Sequence, residues 1–149
     1  MNIRFIKSNE KRKILESLND QFGISELPYL LISTGNERIR AFSGSLSKEE
    51  IEELGKIARV ELIGTYFLKE EGLYRLSFDS PLLIKDEIKK NIVEINDEQF
   101  HDWIRGFDIQ IEAPQGVVVI RYNGDFIGCG KSNGKTIYNY VPKDRRLKK

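Results

Sequence analysis

With 149 residues, 40% of them hydrophobic and 32% charged, the chain is long enough for one domain or two small ones and too well mixed to be disordered. A single cysteine, Cys129, excludes an intrachain disulfide framework and fits a reducing, cytoplasmic setting. No apolar run approaches the ~20 residues that span a bilayer, and Met1-Asn-Ile-Arg-Phe-Ile-Lys7 lacks a signal-peptide core, so no membrane partner is expected.

The first element is a helix. Ser8 or Asn9 is placed to cap it, Ile14, Leu15, Leu18 and Phe22 recur at helical spacing, and Gly23 supplies the left-handed stop. Residues 28–33 read as a buried strand, Thr34-Gly35-Asn36 as a turn, and Arg38–Phe42 as the alternating hairpin partner. Ser47-Lys-Glu-Glu50 is a capping box, in which the serine accepts from an amide one turn on and the glutamate reaches back. The helix behind it sets Ile51, Leu54, Ile57 and Ala58 on one face. Residues 60–67 form the next strand, with Gly64 a bulge or close-approach point, and Glu70-Glu71-Gly72 turns into a strand over 73–78. The result is an αββαββ unit ending near Ser80-Pro81.

Residues 81–90 join this unit to a second, with Leu82, Leu83 and Ile84 packing at the interface. Residues 91–95 are a strand, Asn96 or Asp97 caps a short helix over 98–105, and Gly106 ends it. Residues 107–111 alternate as a half-buried strand, and Ala113-Pro114-Gln115-Gly116 is a loop. The apolar strand 116–122, the tight Asn123-Gly124 turn and the strand 125–130 make a hairpin, followed by a last strand over 136–141. So many short strands suit a small closed barrel better than an open sandwich.

The net charge of +1 hides an asymmetry. Lys131, Lys135, Lys143, Arg145, Arg146, Lys148 and Lys149 face one acid, Asp144, a net +6 at the C-terminal end, while the other 130 residues carry −5. A basic end on an acidic body is the pattern of a surface that meets phosphate; a solvated, frayed tail gives the same count. Tyr138 and Tyr140 alternate on the last strand and suit either the core or a base-stacking platform, and the core is the reading adopted.

Signs of catalysis are poor. His101, the sole histidine, sits in the short helix beside Trp103 with no nucleophile motif and reads as structural or surface. Cys129, between two glycines in a strand, reads as a small core residue. One histidine and one cysteine do not make a metal site. Gly130-Lys131-Ser132 resembles the end of a phosphate loop, but the spacing is incomplete and a turn and strand follow where a helix must open. Neither a cofactor nor an enzymatic activity is expected.

Three stretches carry a family likeness: 91–95, the helix ending in Arg105-Gly106-Phe107-Asp108, and 116–120 leading to Gly124-Asp125-Phe126-Ile127-Gly128-Cys129-Gly130. Together they resemble a PUA domain, the small pseudo-barrel named after pseudouridine synthase and archaeosine transglycosylase. Residues 45–66 and the basic ending 144–149 are similar to the pre-PUA unit and tail of Nip-seven-type ribosome biogenesis factors. The hairpin 124–131 and Asn139-Tyr-Val-Pro-Lys143 are similar to the PUA appendage of Nol/Nop/Sun-type RNA cytosine-5 methyltransferases, which binds RNA and does no chemistry.

The resemblance implies an α+β protein in which an N-terminal α/β pre-PUA-like unit, residues 1–84, packs on a C-terminal PUA-type β pseudo-barrel, residues 85–149. It further implies non-catalytic binding of structured rRNA or tRNA, in ribosome biogenesis or RNA modification. The contacts are expected from Lys131, Lys135, Lys143, Arg145, Arg146, Lys148 and Lys149, with Arg105, Gly106 and the backbone at Gly128 and Gly130 lining them. The alternatives are a targeting subunit for a separate RNA methyltransferase and a protein-interaction adaptor. The expected partners are RNA and an RNA-modifying enzyme or ribosome assembly factors.

Overall fold

The computed structural model describes residues 4–33, 37–42, 47–57, 65–71, 73–78 and 80–147. These fold as two five-stranded sheets, each with its own helical cover, that share a layer of core. The architecture is α+β.

The first sheet is a meander, β1 (Arg4–Phe5), β2 (Leu30–Ser33), β3 (Arg38–Phe42), β4 (Thr65–Glu71) and β5 (Leu73–Leu76), with neighbours in chain order and every pair antiparallel. Helix α1 (Ser8–Phe22) covers it because Ile14, Leu18 and Phe22, four residues apart, form one buried face. Gly23 ends the helix at φ 75, its amide donating to the Asn19 carbonyl at 2.8 Å. The N-cap is Lys7, not Ser8 or Asn9. The chain is still extended at Lys7, and its carbonyl already accepts from the Lys11 amide at 2.8 Å, so both polar residues fall inside the first turn.

The expected αββαββ order is present, preceded by β1, a two-residue edge strand too short to read from sequence. Helix α2 (Lys48–Ile57) begins with the Ser47 hydroxyl accepting from the Glu50 amide at 3.1 Å. Strand β4 runs on to Glu71 because its hairpin with β5 pairs Glu71 with Leu73. The turn at 34–36, Ala58 and most of the strand expected from Val60, with Gly64, lie outside the described residues.

The connection is helical: α3 (Ser80–Leu83), then a 3-10 turn at Lys85–Glu87. Ile84 is buried in the shared core as expected. Ser77 and Ser80 are buried but satisfied, donating to the Tyr66 and Phe67 carbonyls, each at 2.7 Å.

The second sheet runs β6-β8-β9-β10-β7, from β6 (Ile92–Glu94), β7 (Ile109–Gln110), β8 (Gly116–Tyr122), β9 (Asp125–Ser132) and β10 (Thr136–Asn139). β6 and β8 are parallel, which requires a crossover, and α4 (Asp97–Ile104) lies within it. Asn96 caps α4 in a full capping box, accepting from the Gln99 amide at 2.8 Å while Gln99 accepts from the Asn96 amide at 2.9 Å.

The expected closed barrel is an open pseudo-barrel. Among the described residues no ladder joins β6 to β7, and α4 fills the gap instead. Its Trp103 is fully buried among Val93, Ile109, Val118, Ile120 and Ile137, and donates Nε1–H to the Ile127 carbonyl at 3.0 Å. Gly130 lies under it: a Cβ there would sit 2.6 Å from the Tyr138 carbonyl oxygen and 2.9 Å from Trp103. The Gly128 and Gly130 backbone therefore faces the packed interior, not a surface contact.

Alternation along β8 joins the two units. Val118 and Ile120 enter the pseudo-barrel core, while Val119 and its partner Cys129 enter the cluster of Phe22, Phe67 and Leu76.

Candidate nucleic-acid interface

The expected site residues fall into two groups. The first surrounds the end of α4. Gly106 has φ 93, and a Cβ there would collide with Nε, Cδ and Cζ of Arg146. The left-handed backbone favours glycine, and a Cβ would in addition displace the Arg146 side chain. Arg146 lies across it and donates Nε–H to the Val141 carbonyl at 3.0 Å, and the Leu147 amide donates to the Ile104 carbonyl at 2.8 Å. The segment up to Leu147 is thus fastened to the end of α4, unlike a frayed tail. Arg145 stacks on the Phe78 ring, 4.7 Å from its centroid, and Arg105 and Lys143 are exposed nearby. Lys148 and Lys149 lie outside the described residues.

Asn139, named above only as part of the 139–143 ending and not as a site residue, anchors this end. Its side chain donates to the Trp103 and Phe107 carbonyls at 2.8 and 2.9 Å and accepts from the Val141 amide at 2.8 Å, while Asp108 accepts from its own amide at 2.8 Å. No local pattern marks such a residue, because its partners come from α4 and the loop after it.

The second group lies along β9 and β10. Lys131 pairs across the ladder with Tyr138, and Lys135 is exposed in the connecting turn, whose backbone is held by Asn133 Oδ1 accepting from the Lys135 and Thr136 amides. Tyr138 is 43% exposed, its hydroxyl accepting from Asn133 at 3.1 Å, and Tyr140 is half-buried. The core reading of these tyrosines is corrected. The interior position on β10 is taken by Ile137, which turns Tyr138 outward, while Tyr140, just past the strand, is half-buried against Arg75.

Tyr140 leads into a cleft of about 240 Å³ between the units, lined by Arg38, Tyr66, Lys69 and Arg75 from the first and Cys129, Tyr140 and Pro142 from the second. Arg38 pairs directly with Lys69, and Lys69 with Arg75, so three cations stand in one row across β3, β4 and β5. Like charges directly opposite are unfavourable, by up to about 1 kcal/mol a pair. Two of the three are braced by rings: Arg38 lies 5.0 Å from the Tyr66 centroid and Arg75 4.3 Å from that of Tyr140. Arg40, two residues from Arg38, has its pKa lowered by burial and by the Arg38 charge. Symmetric pairing about the Glu70-Glu71-Gly72 turn is the signal that could have placed Lys69 opposite Arg75; the Arg38 partnership needed the tertiary register.

Burial pushes the Cys129 thiol up to about 12, against a smaller opposing pull from Arg75. It is neutral at physiological pH and poorly suited to nucleophilic chemistry. His101 is exposed on α4, tilted against Phe100.

Residues 90–147 match the family described as the Methyltransferase RsmF PUA domain. Three relatives named Ribosomal RNA small subunit methyltransferase F are similar to this chain. That of Shewanella oneidensis is 29% identical over 133 residues, 84% of this chain and 26% of the relative. That of Vibrio cholerae serotype O1 is 28% identical over 145 residues, 94% of this chain and 30% of its own length. That of Vibrio atlanticus is 36% identical over 56 residues, 36% of this chain and 12% of the relative. The chain therefore spans less than a third of the length of these relatives. The second unit is thus similar to the PUA domain of these methyltransferases, and the longer alignments continue through the first unit.

Proposed function

We propose that this chain is an RNA-binding module that holds structured small-subunit rRNA for methylation and performs no chemistry itself. The match of its pseudo-barrel to the PUA domain of an rRNA methyltransferase carries the reading. The methyl transfer belongs to protein beyond these residues, on the same or a separate polypeptide. Lys131, Lys135, Lys143, Arg145 and Arg105 are its phosphate contacts, in a cytoplasmic setting. Arg146 takes a different part, since its guanidinium is engaged with Val141 over Gly106 and positions the tail.

Binding of a small-subunit rRNA transcript, followed against salt, tests this. Reversing Lys143 and Arg145 should weaken binding and lower the log–log salt slope by roughly 1 to 2. Unchanged affinity at both low and moderate salt would remove the tail from the site. A wild-type protein that fails to bind the transcript while holding a protein partner in its absence would favour the adaptor.

A further inference from the structure

We propose that Tyr138 is a stacking platform for an unpaired nucleobase, so that the bound RNA offers a single-stranded nucleotide to β9 and β10; this deepens the RNA-binding reading above and rests on it. Tyr138 is exposed on β10, where Ile137 already supplies the interior side chain. Neither a second ring nor a guanidinium stacks on it among the described residues. An exposed ring alone is ordinary. This one is also held in place. Its hydroxyl accepts from Asn133 Nδ2 at 3.1 Å, and Asn133 is itself fixed, its Oδ1 accepting from the Lys135 and Thr136 amides at 2.9 and 2.8 Å. A ring that is exposed and held has part of its ordering cost met before a flat partner arrives.

The ligand class follows from what surrounds the ring. Lys131 stands directly opposite Tyr138 in the ladder, the two backbones about 5 Å apart, and Lys135 lies in the turn that holds the hydroxyl. Both lysines are exposed. One acid, Asp108, is brought alongside by the pairing of β7 with β10, and its carboxylate is engaged with the Asn139 amide at 2.8 Å. A ring with two ammonium groups beside it suits a nucleotide, with the base on the ring and the flanking phosphates on the lysines. A duplex keeps the faces of its bases in its own stack, so the nucleotide comes from a loop, a bulge or an end. Stacking accepts any base, so the platform selects the unpaired state and not a sequence.

The test uses the full chain, a labelled oligouridylate of about 12 nucleotides, an abasic strand of the same length and the rRNA transcript. Tyr138→Ala should weaken oligouridylate binding about tenfold and leave the salt slope unchanged, whereas Lys131→Gln should lower that slope by about 0.7. Tyr138→Phe keeps the ring and should stay within about threefold of wild type. The abasic strand should bind wild type about tenfold more weakly than oligouridylate and be indifferent to Tyr138→Ala. A folded Tyr138→Ala that binds oligouridylate within about twofold of wild type overturns the platform, as does an abasic strand that binds as tightly as oligouridylate. Either result leaves the RNA reading standing if wild type still binds the transcript. Should Tyr138→Ala fail to fold, photocrosslinking of wild type to an oligo-iodouridylate is read: attachment at Tyr138 is expected, and crosslinks confined to other residues overturn the platform. A wild type that binds neither RNA overturns both readings.

Discussion

The two sheets have the same number of strands and gather positive charge in opposite ways. In the first, strands neighbour in chain order, and cations distant in sequence, Arg38, Lys69 and Arg75, are brought into one row by register. In the second, the order β6-β8-β9-β10-β7 and the folded-back tail disperse cations that are close in sequence. Lys131 lies on the outer face of β9, Arg145 on Phe78, and Arg146 over Gly106. A run of charge in a sequence is therefore not yet a patch. The patch is made by pairing, and the run can be partly consumed in fastening its own backbone.

The sheets also differ in how they are filled, and this gives the largest expected effect. The first core takes three buried residues from α1; the second takes one, Trp103, from α4, with Phe100 partly buried beside it. Trp103→Ala should cost about 4 kcal/mol by cavity formation, beyond the loss of its bond to the Ile127 carbonyl, against about 3 kcal/mol for Leu18→Ala. Urea unfolding of both variants checks the ranking. A smaller loss at Trp103 would mean that the pseudo-barrel is not organised around its plug.

Cys129 belongs to the second sheet but faces the first core, and its titration reports on that shared layer. An unfolded thiol loses its proton near 9.0, and the folded one near 12. Between those values the folded state holds the extra proton, so stability is lost as pH rises, by about 1.4 kcal/mol per pH unit. Stability measured from pH about 8 to 11 should fall more steeply for wild type than for Cys129→Ala, the two curves separating by about 3 kcal/mol at the upper end. Parallel curves would mean that water reaches the layer between the units.

Gly106→Ala should cost about 1 to 3 kcal/mol through its left-handed backbone and the displaced Arg146. Because the collision needs both side chains, Gly106→Ala in an Arg146→Ala background should cost less than in wild type. Additive losses in thermal melting would show that Arg146 does not rest on Gly106, and the tail would then rejoin the free charges of the sequence run.

Local chemistry made much of the fold legible. The α1 face and its glycine stop, the Asn96 cap and both hairpins each depend on residues within a few positions of one another. So does the glycine run 124–130, which points to the PUA domain even though its interior member serves packing against Trp103. The capping of α1 at Lys7 was hidden because polar residues inside a first turn look like caps. The strand count alone suggested a closed barrel, because closure depends on whether β6 meets β7, which no periodicity encodes; the pseudo-barrel came from the family resemblance. At the candidate site, the tail charges were legible one by one, but the roles of Arg146 and Asn139 and the Arg38–Lys69–Arg75 row arise from pairings between distant segments.

The smallest stability effect is the sharpest test of the contrast between the sheets. Arg38→Gln removes an exposed charge that opposes Lys69 in the row and depresses the Arg40 pKa, and it also removes the contact with Tyr66. Relief of repulsion and loss of the cation–π contact are each up to about 1 kcal/mol and opposite in sign, so stability should change by no more than about 0.5 kcal/mol. Thermal melting of wild type and variant side by side checks this cancellation. A loss of stability above about 1 kcal/mol would instead make Arg38 a brace for the first sheet through its contact with Tyr66. A gain of that size would mean that register gathers the cations of the first sheet at a net cost, which the second sheet avoids by spreading its own.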